Sequence, residues 1–137
     1  MCKNLNEGAW ISLILRLSFV LLWGTAAIAK FIGGLDKVVM AYQAMFQGSF
    51  LPMPLVMLHA HTIAYVEALL AIWLLLGIRL KMAWVVSALV LVSLAFGMLV
   101  AKNGPTTAEN YFYVFMACVG LYFSSHDQLN VSCLIKK

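Results

Sequence analysis

The chain has 137 residues, of which 64% are hydrophobic and only 10% are charged, and its mean hydropathy is +0.97. Soluble domains draw about a quarter of their residues from the charged types, so this composition excludes that class and predicts an integral membrane protein. The formal charge of +4 comes from nine Lys and Arg residues scattered between apolar runs. Such scattering is typical of membrane orientation signals and argues against a nucleic-acid partner.

Four apolar runs predict four membrane-spanning helices, because about 20 apolar residues cross the hydrocarbon core of a bilayer. We expect the spans at residues 11–31, 58–78, 82–101 and 110–125. The first span is expected to be an uncleaved helix, since its apolar run is too long for a signal peptide and no polar segment follows it. With short connections these spans use up the chain, so residues 1–137 are predicted to form one domain, an all-α membrane protein built as a four-transmembrane-helix bundle.

The segment between the first and second spans is too short to cross a bilayer, and glycine and proline residues bracket it. Its apolar side chains recur at helical spacing, at Leu35, Val38, Val39, Tyr42, Met45 and Phe46. This pattern predicts an amphipathic helix in the membrane interface, or a short helix packed against the bundle as an ordinary loop element.

Four spans would place both termini and the Arg79 turn on one side of the membrane. That side would carry Lys3, Arg79, Lys81, Lys136 and Lys137, and the opposite side Lys30, Lys37 and Lys102. The excess of positive charge predicts that both termini are cytoplasmic.

Glu67 lies near the middle of the second span, where a charge is costly unless it is neutralised, paired or used. Helical spacing places it on one face with Ala60, Ala64 and Ala71, and small residues let a neighbouring helix approach, so this face is predicted to point into the bundle. Three roles fit the position: an ion pair with Arg16 or Lys30, a protonatable functional acid, or a solitary neutral acid.

The choice between the two cations depends on depth and on side-chain direction. Counted from the ends of the apolar runs, Arg16 lies about 8 Å from Glu67 along the membrane axis, and Lys30 about 13 Å away on the other side. Side chains lean toward the N-terminus of their own helix, which turns Arg16 away from Glu67 and brings Lys30 toward it. Depth therefore favours Arg16, and direction favours Lys30.

The histidines do not form a pattern that holds a metal. His59 and His61 begin the second span, whereas His126 follows the fourth span about 30 Å away, so the two groups cannot clamp one haem. His59 and His61 also lack the i, i+4 spacing of helical metal ligands. They are interpreted as interfacial residues that bond water or lipid headgroups, or as proton-exchanging groups beside a quinone ring. Cys2, Cys118 and Cys133 form no C-x-x-C pair, so no dithiol redox centre is predicted.

Several spaced elements between residues 14 and 127 resemble the DoxX family of small four-helix membrane proteins. The elements are Arg16 and Gly24 in the first span, Lys30-Phe31 at its end, Leu51-Pro52-Met53-Pro54, Glu67, the Leu75-Leu76-Gly77-x-x-x-Lys81 turn, and Asn110 before an aromatic fourth span. The glutamate ahead of a Leu-Gly turn with a basic residue is the most distinctive of them. Asp127 matches the family's Ser-Leu-Asp-like ending only loosely.

The resemblance implies a small subunit of the bacterial inner membrane that works near redox or sulfur chemistry. The family includes the DoxD subunit of a thiosulfate:quinone oxidoreductase, a maturation factor for methylamine dehydrogenase and proteins of oxidative-stress complexes. Carried over to this chain, the polar residues of interest are Arg16, Lys30, Glu67 and Asn110. The implied partners are larger membrane-protein chains or further copies of the chain itself, together with membrane lipids.

From the residues and the resemblance together, we expect a subunit or assembly factor of a membrane redox complex, without a catalytic cofactor of its own. A quinone or a lipid at the bundle surface is the candidate ligand. If the chain takes part in catalysis, it does so within a quinone-linked oxidoreductase. Two alternatives are a small proton-coupled transporter that uses Glu67 and a purely structural, lipid-binding subunit.

Overall fold

The computed structural model describes residues 7–127 of the chain, which form five α-helices and a final turn of 3₁₀ helix at Ser124–His126. The α-helices are α1 (Glu7–Gly33), α2 (Leu35–Phe46), α3 (Met53–Leu76), α4 (Leu80–Val100) and α5 (Gly104–Phe123). The predicted all-α architecture is confirmed. Cys2, Cys133 and the terminal lysines Lys3, Lys136 and Lys137 lie outside the described residues.

The four long helices all begin earlier than the apolar runs predicted, and the difference is largest for α3 and α5. α3 begins at Met53 and not near residue 58, because Pro54 occupies its first turn, where proline loses no hydrogen bond. α5 begins at Gly104 and not at residue 110. There the Asn103 side chain accepts a hydrogen bond from the Thr106 N–H and caps the helix. The hydropathy pattern missed both starts because these first turns are polar or carry proline.

The connection between α3 and α4 is a tight reversal held by backbone and side-chain bonds. Gly77 adopts the left-handed conformation with φ 67°, and its N–H donates to the Trp73 carbonyl. Arg79 follows with φ 46°, an uncommon value for a residue with a side chain. The indole Nε1–H of Trp73 donates to the Ile78 carbonyl at 2.6 Å and holds the turn against the end of α3.

Three of the described helices, α1, α3 and α4, are long and apolar enough to cross a membrane. α5 has 20 residues but does not meet this criterion, and its first two turns include Thr106, Thr107, Glu109 and Asn110. The predicted fourth crossing therefore stays a prediction. Large apolar side chains cover the outside of the helices, as a lipid-facing surface requires, for example Ile14, Leu21, Ile32, Leu69, Leu75 and Leu89.

The bundle consists mainly of two packed helix pairs, α1 with α3 and α4 with α5. Its core centres on Trp84, which is fully buried and meets the ring of Phe19 edge-on at a centroid distance of 4.9 Å. Gly120 of α5 faces Trp84 so closely that a Cβ atom there would lie 2.6 Å from the indole. We call this end of the bundle, where α3 turns into α4, the Arg79 end, and the opposite end the α2 end.

Helix α2 matches the predicted amphipathic segment and lies against α3 at the α2 end. It buries Val39 and Phe46 and leaves Met40 and Met45 exposed. Glycines with positive φ precede and follow it, Gly34 at 93° and Gly48 at 80°. The helix therefore packs on the bundle with one face, while its depth relative to a membrane interface stays a prediction.

Candidate functional site

Glu67 of α3 forms an ion pair with Lys30 of α1. The Lys30 Nζ donates to both carboxylate oxygens, at 2.7 Å to Oε1 and 2.6 Å to Oε2. The Glu67 side chain is 3% exposed and the Lys30 side chain 22% exposed. Of the two cations considered from the sequence, Lys30 is the one that contacts Glu67. The pair links the last turn of α1 to the middle of α3.

The relative register of α1 and α3 explains why Lys30 reaches Glu67. A Cβ atom on Gly24 would lie 3.9 Å from the Cβ of Ala71, so these two residues are level in the antiparallel pair. From that level Lys30 is six residues and Glu67 four residues toward the α2 end, or about 9 and 6 Å. The two residues are therefore about 3 Å apart along the axis. The ring contact of Phe31 with Tyr65, at 5.3 Å, fits the same register.

Arg16 forms a second ion pair, with Asp127 just after the 3₁₀ turn. The Arg16 Nη1 donates to Asp127 Oδ2 at 2.9 Å, and the Ser12 hydroxyl donates to the same oxygen at 3.3 Å. The two charged side chains are 8% and 2% exposed. This pair ties the first half of α1 to the end of α5 at the Arg79 end, and it is separate from the Lys30–Glu67 pair.

The four polar residues that the resemblance singled out are thus distributed over different contacts. Lys30 and Glu67 pair with each other, Arg16 pairs with Asp127, and Asn110 is partly buried in α5 and belongs to neither pair. Sequence reasoning missed Asp127 as the partner of Arg16. The available signal was an arginine near the start of the first span and an acidic residue just after the last one, at the same end of the bundle.

The two histidines of α3 point to different environments. His61 is exposed, and its Nδ1 donates to the Met57 carbonyl one turn earlier at 2.7 Å. His59 is partly buried, and its ring lies 6.0 Å from that of Tyr42 on α2. Of these two, only His59 faces the interior of the α2 end, and sequence reasoning did not identify Tyr42 as its neighbour.

His59 and Tyr42 form part of the wall of a groove of about 240 Å³ between α2, the start of α3 and the end of α4. Ser93 is the other hydrogen-bonding side chain among the described residues of the lining, and the remainder is mainly apolar, including Phe46, Leu55, Val56, Leu94, Phe96 and Met98. Burial raises the pKa of the Tyr42 hydroxyl, and the nearby Glu67 charge raises it further. Tyr42 therefore keeps its proton at neutral pH and is a hydrogen-bond donor.

No group of three or more His, Cys, Asp or Glu side chains within residues 7–127 is arranged to hold a metal ion. Of the three cysteines, Cys118 lies within residues 7–127, on α5, and it is exposed. The candidate site comprises the Arg16–Asp127 and Lys30–Glu67 ion pairs and the groove beside Tyr42 and His59. Comparison with family models, with curated proteins and with solved structures finds no match to this chain.

Proposed function

We propose that this chain is a small integral membrane subunit or assembly factor of a redox complex, of the DoxX type, and that it carries no catalytic cofactor of its own. The observation that supports this proposal best is that three of the four polar residues singled out by the resemblance form ion pairs. Lys30 and Glu67 pair between α1 and α3, and Arg16 pairs with Asp127 just after the 3₁₀ turn. Charges used in this way hold helices in register, which is what a scaffold or accessory subunit requires.

The Lys30–Glu67 geometry favours this role over proton-coupled transport. A transporting acid must exchange its proton with substrate or water during each cycle. Glu67 is 3% exposed and accepts two short hydrogen bonds from one ammonium group. Protonating it would remove the partner of Lys30 inside the bundle, so the pair is better suited to clamping α1 against α3 than to carrying protons.

The proposed arrangement has four membrane crossings, with α5 as the fourth. α5 packs closely along α4, and Thr107 near its start is buried, which shields part of its polar first turns from lipid. The distribution of Lys and Arg in the sequence then favours both termini in the cytoplasm, as expected for a bacterial inner-membrane protein.

The partners in this proposal are larger membrane chains that contact the outer surface of the bundle. α5 presents exposed aromatic side chains there, namely Tyr111, Phe112, Phe115 and Tyr122. Aromatic residues contribute strongly to contacts between protein chains because they bury much area with few rotatable bonds.

The test is to purify the tagged chain from its native membrane in mild detergent and to run it on a native gel. We expect larger chains to co-migrate with it, and the absorption spectrum of the band to report any chromophore that they carry. Migration as a lone chain, with neither a co-purifying protein nor lipid quinone, would overturn the proposal.

The Glu67→Gln variant separates the subunit from the transporter. Under the proposal it weakens co-migration and thermal stability and leaves proton flux in reconstituted liposomes at the level of empty liposomes. A proton-linked flux that the natural chain supports and Glu67→Gln abolishes would establish the transporter instead. Glu7→Gln is the matched control, because Glu7 is an exposed glutamate in the first turn of α1, away from the α5 surface, and it should change none of these three measurements.

A further inference from the structure

Three buried polar groups in the centre of the bundle have no hydrogen-bond partner within residues 7–127. They are the indole Nε1 of Trp23 on α1, the indole Nε1 of Trp84 on α4 and the hydroxyl of Ser87 on α4. All three residues are at most 2% exposed. A polar group that is taken out of water destabilises a fold unless it is hydrogen-bonded, so each of these groups requires a partner.

The described part of the chain satisfies comparable groups by internal bonds. The indole of Trp73 donates to the Ile78 carbonyl, and six hydroxyls donate to a backbone carbonyl three or four residues earlier. The six belong to Ser18, Thr25, Thr62, Ser93, Thr107 and Ser124. Ser87 makes no such bond within residues 7–127, so its hydroxyl is available to a partner outside its own helix.

The three groups lie at nearly the same level of the bundle. α1 and α4 both begin at the Arg79 end, and the ring contact of Phe19 with Trp84 joins them across the core. Trp23 follows Phe19 by four residues, or about 6 Å, and Ser87 follows Trp84 by three, or about 4.5 Å. These spacings keep each pair on one helix face. The polar groups are therefore within about one helical turn of each other along the bundle axis.

Short side chains surround this level and close it off from lipid. Ala71 of α3, Ala83 of α4 and Ala117 of α5 belong to the same buried cluster as Trp23 and Trp84. None of these alanines is more than 8% exposed. An enclosed site of this kind suits a ligand the size of one water molecule, which needs roughly 10–15 Å³ of accessible volume, and excludes lipids and larger molecules.

The hydrogen-bonding character of the three groups defines the ligand further. An indole N–H only donates, whereas a serine hydroxyl both donates and accepts. The nearest ion pairs, Arg16–Asp127 and Lys30–Glu67, each contain their own opposite charges. An ion at this level would lose its hydration without meeting an uncompensated charge, so the ligand is neutral. It must accept from two donors and also bond a hydroxyl, which a water molecule does.

We propose that Trp23, Ser87 and Trp84 bind one buried water molecule, which accepts hydrogen bonds from both indole N–H groups and donates one to the Ser87 hydroxyl. Buried waters typically make about three hydrogen bonds to polar groups that otherwise have no partner. The water connects α1 with α4 just beyond the contact of Phe19 with Trp84. The inference goes beyond the proposed subunit role and does not depend on it, since the site contains neither a partner chain nor the groove.

The experiment uses nuclear magnetic resonance of the full chain in detergent micelles, with the indole nitrogens isotope-labelled. The chain has four tryptophans. Trp10→Phe, Trp73→Phe and Trp23→Phe assign three of the indole signals, and the fourth belongs to Trp84 without substitution of this core residue. We expect nuclear Overhauser cross-peaks between a long-lived water and the indole protons of Trp23 and Trp84. Trp73 is the internal control, because its N–H already donates to a carbonyl, and it should show no such cross-peak.

Ser87→Ala tests the third contact of the water. We expect the signals of Trp23 and Trp84 to move together, because the water loses the hydroxyl to which it donates. Both cross-peaks should persist, since two hydrogen bonds still hold the water. Ser93→Ala is the matched control on the same helix, because the Ser93 hydroxyl bonds the Val90 carbonyl, and it should leave both signals and both cross-peaks unchanged.

Four outcomes would overturn the proposal. The first is a natural chain without a long-lived water cross-peak at Trp23 and Trp84, and the second is a cross-peak at just one of them. The third is loss of both cross-peaks in Ser87→Ala, which would show that they came from exchange of the hydroxyl proton with solvent. The fourth is a Ser87→Ala variant in which neither indole signal moves.

Discussion

The two ends of the bundle use the same kind of contact in opposite surroundings. At the Arg79 end, the Arg16–Asp127 pair closes the bundle beside a core filled by Trp84, and both charged side chains are almost fully buried. At the α2 end, the Lys30–Glu67 pair lies near an open groove, and its lysine retains partial exposure. The first pair completes a packed core, and the second holds two helices together beside space for a ligand.

A buried ion pair therefore does not by itself mark a functional site. Removing one member of a buried pair is strongly destabilising, but the cost depends on whether the remaining group can lose its charge or reach water. Arginine stays charged at all relevant pH values, whereas lysine can move its head toward water or deprotonate. We therefore expect the Arg79 end to be the more sensitive of the two.

Asp127→Ala should have the greatest effect on stability. The substitution removes the carboxylate that accepts from the buried Arg16 guanidinium, and we expect it to lower the free energy of unfolding by about 3–5 kcal/mol. Denaturant titration in mixed micelles, followed by circular dichroism, measures the change. Equal stability of the natural chain and Asp127→Ala would contradict the role assigned to this pair.

The next prediction tests packing at the same end. Gly120→Ala places a Cβ atom 2.6 Å from the fully buried indole of Trp84, and we expect a loss of about 3 kcal/mol in the same titration, near the top of the usual range for overpacking. Gly24→Ala is the matched control, since its Cβ would lie 3.9 Å from Ala71. It should change stability by no more than about 1 kcal/mol. Similar losses in both variants would mean that the two helix interfaces are equally tight.

At the α2 end, a double-mutant cycle measures the Lys30–Glu67 pair. Each single variant, Lys30→Met and Glu67→Gln, should lower the free energy of unfolding by about 2 kcal/mol, because a hydrogen-bonded partner is left alone. The double variant should recover part of that loss, with a coupling energy of about 1–2 kcal/mol. Strictly additive losses would show that the pair contributes no interaction energy. A larger effect here than for Asp127→Ala would reverse the proposed ranking of the two ends.

The weakest of these effects concerns the start of α5. Asn103→Ala removes the side-chain acceptor of the Thr106 N–H and should lower the free energy of unfolding by about 1 kcal/mol. Thr106→Ala is the control, because it keeps the backbone N–H that the cap requires, and it should stay within about 0.5 kcal/mol of the natural chain. Hydrogen exchange at the first turn of α5 measures the same change locally. Unchanged exchange in Asn103→Ala would show that the cap is not needed to begin this helix.

The partner of Glu67 illustrates how far sequence reasoning extends. The alanine-lined face correctly predicted that Glu67 points into the bundle, because small residues and helical spacing are properties of the sequence. The estimate of relative depth was misleading, since it counted from the ends of apolar runs. In the folded bundle Gly24 lies level with Ala71, and this register brings Lys30 level with Glu67. Side-chain direction was the better guide of the two.

The groove could not have been predicted in the same way. Tyr42, His59 and Ser93 come from α2, α3 and α4, and no spacing along the chain relates them. His59 was identified from the sequence as a candidate beside a quinone, together with His61, but spacing alone could not say which of the two faces the interior. Their difference arises because α2 packs over one face of α3 and leaves the other exposed.

Hydropathy, periodicity and helix-breaking residues were enough to predict the all-helical character of the chain and the approximate positions of its apolar helices. They also predicted the amphipathic helix between the first two of these and the inward direction of Glu67, because all these signals act over short stretches of chain. Only the folded bundle shows which charges pair, which histidine faces a groove and how tightly each end is packed. Those outcomes depend on the register between helices distant in sequence, which places Gly24 level with Ala71 and Gly120 against Trp84.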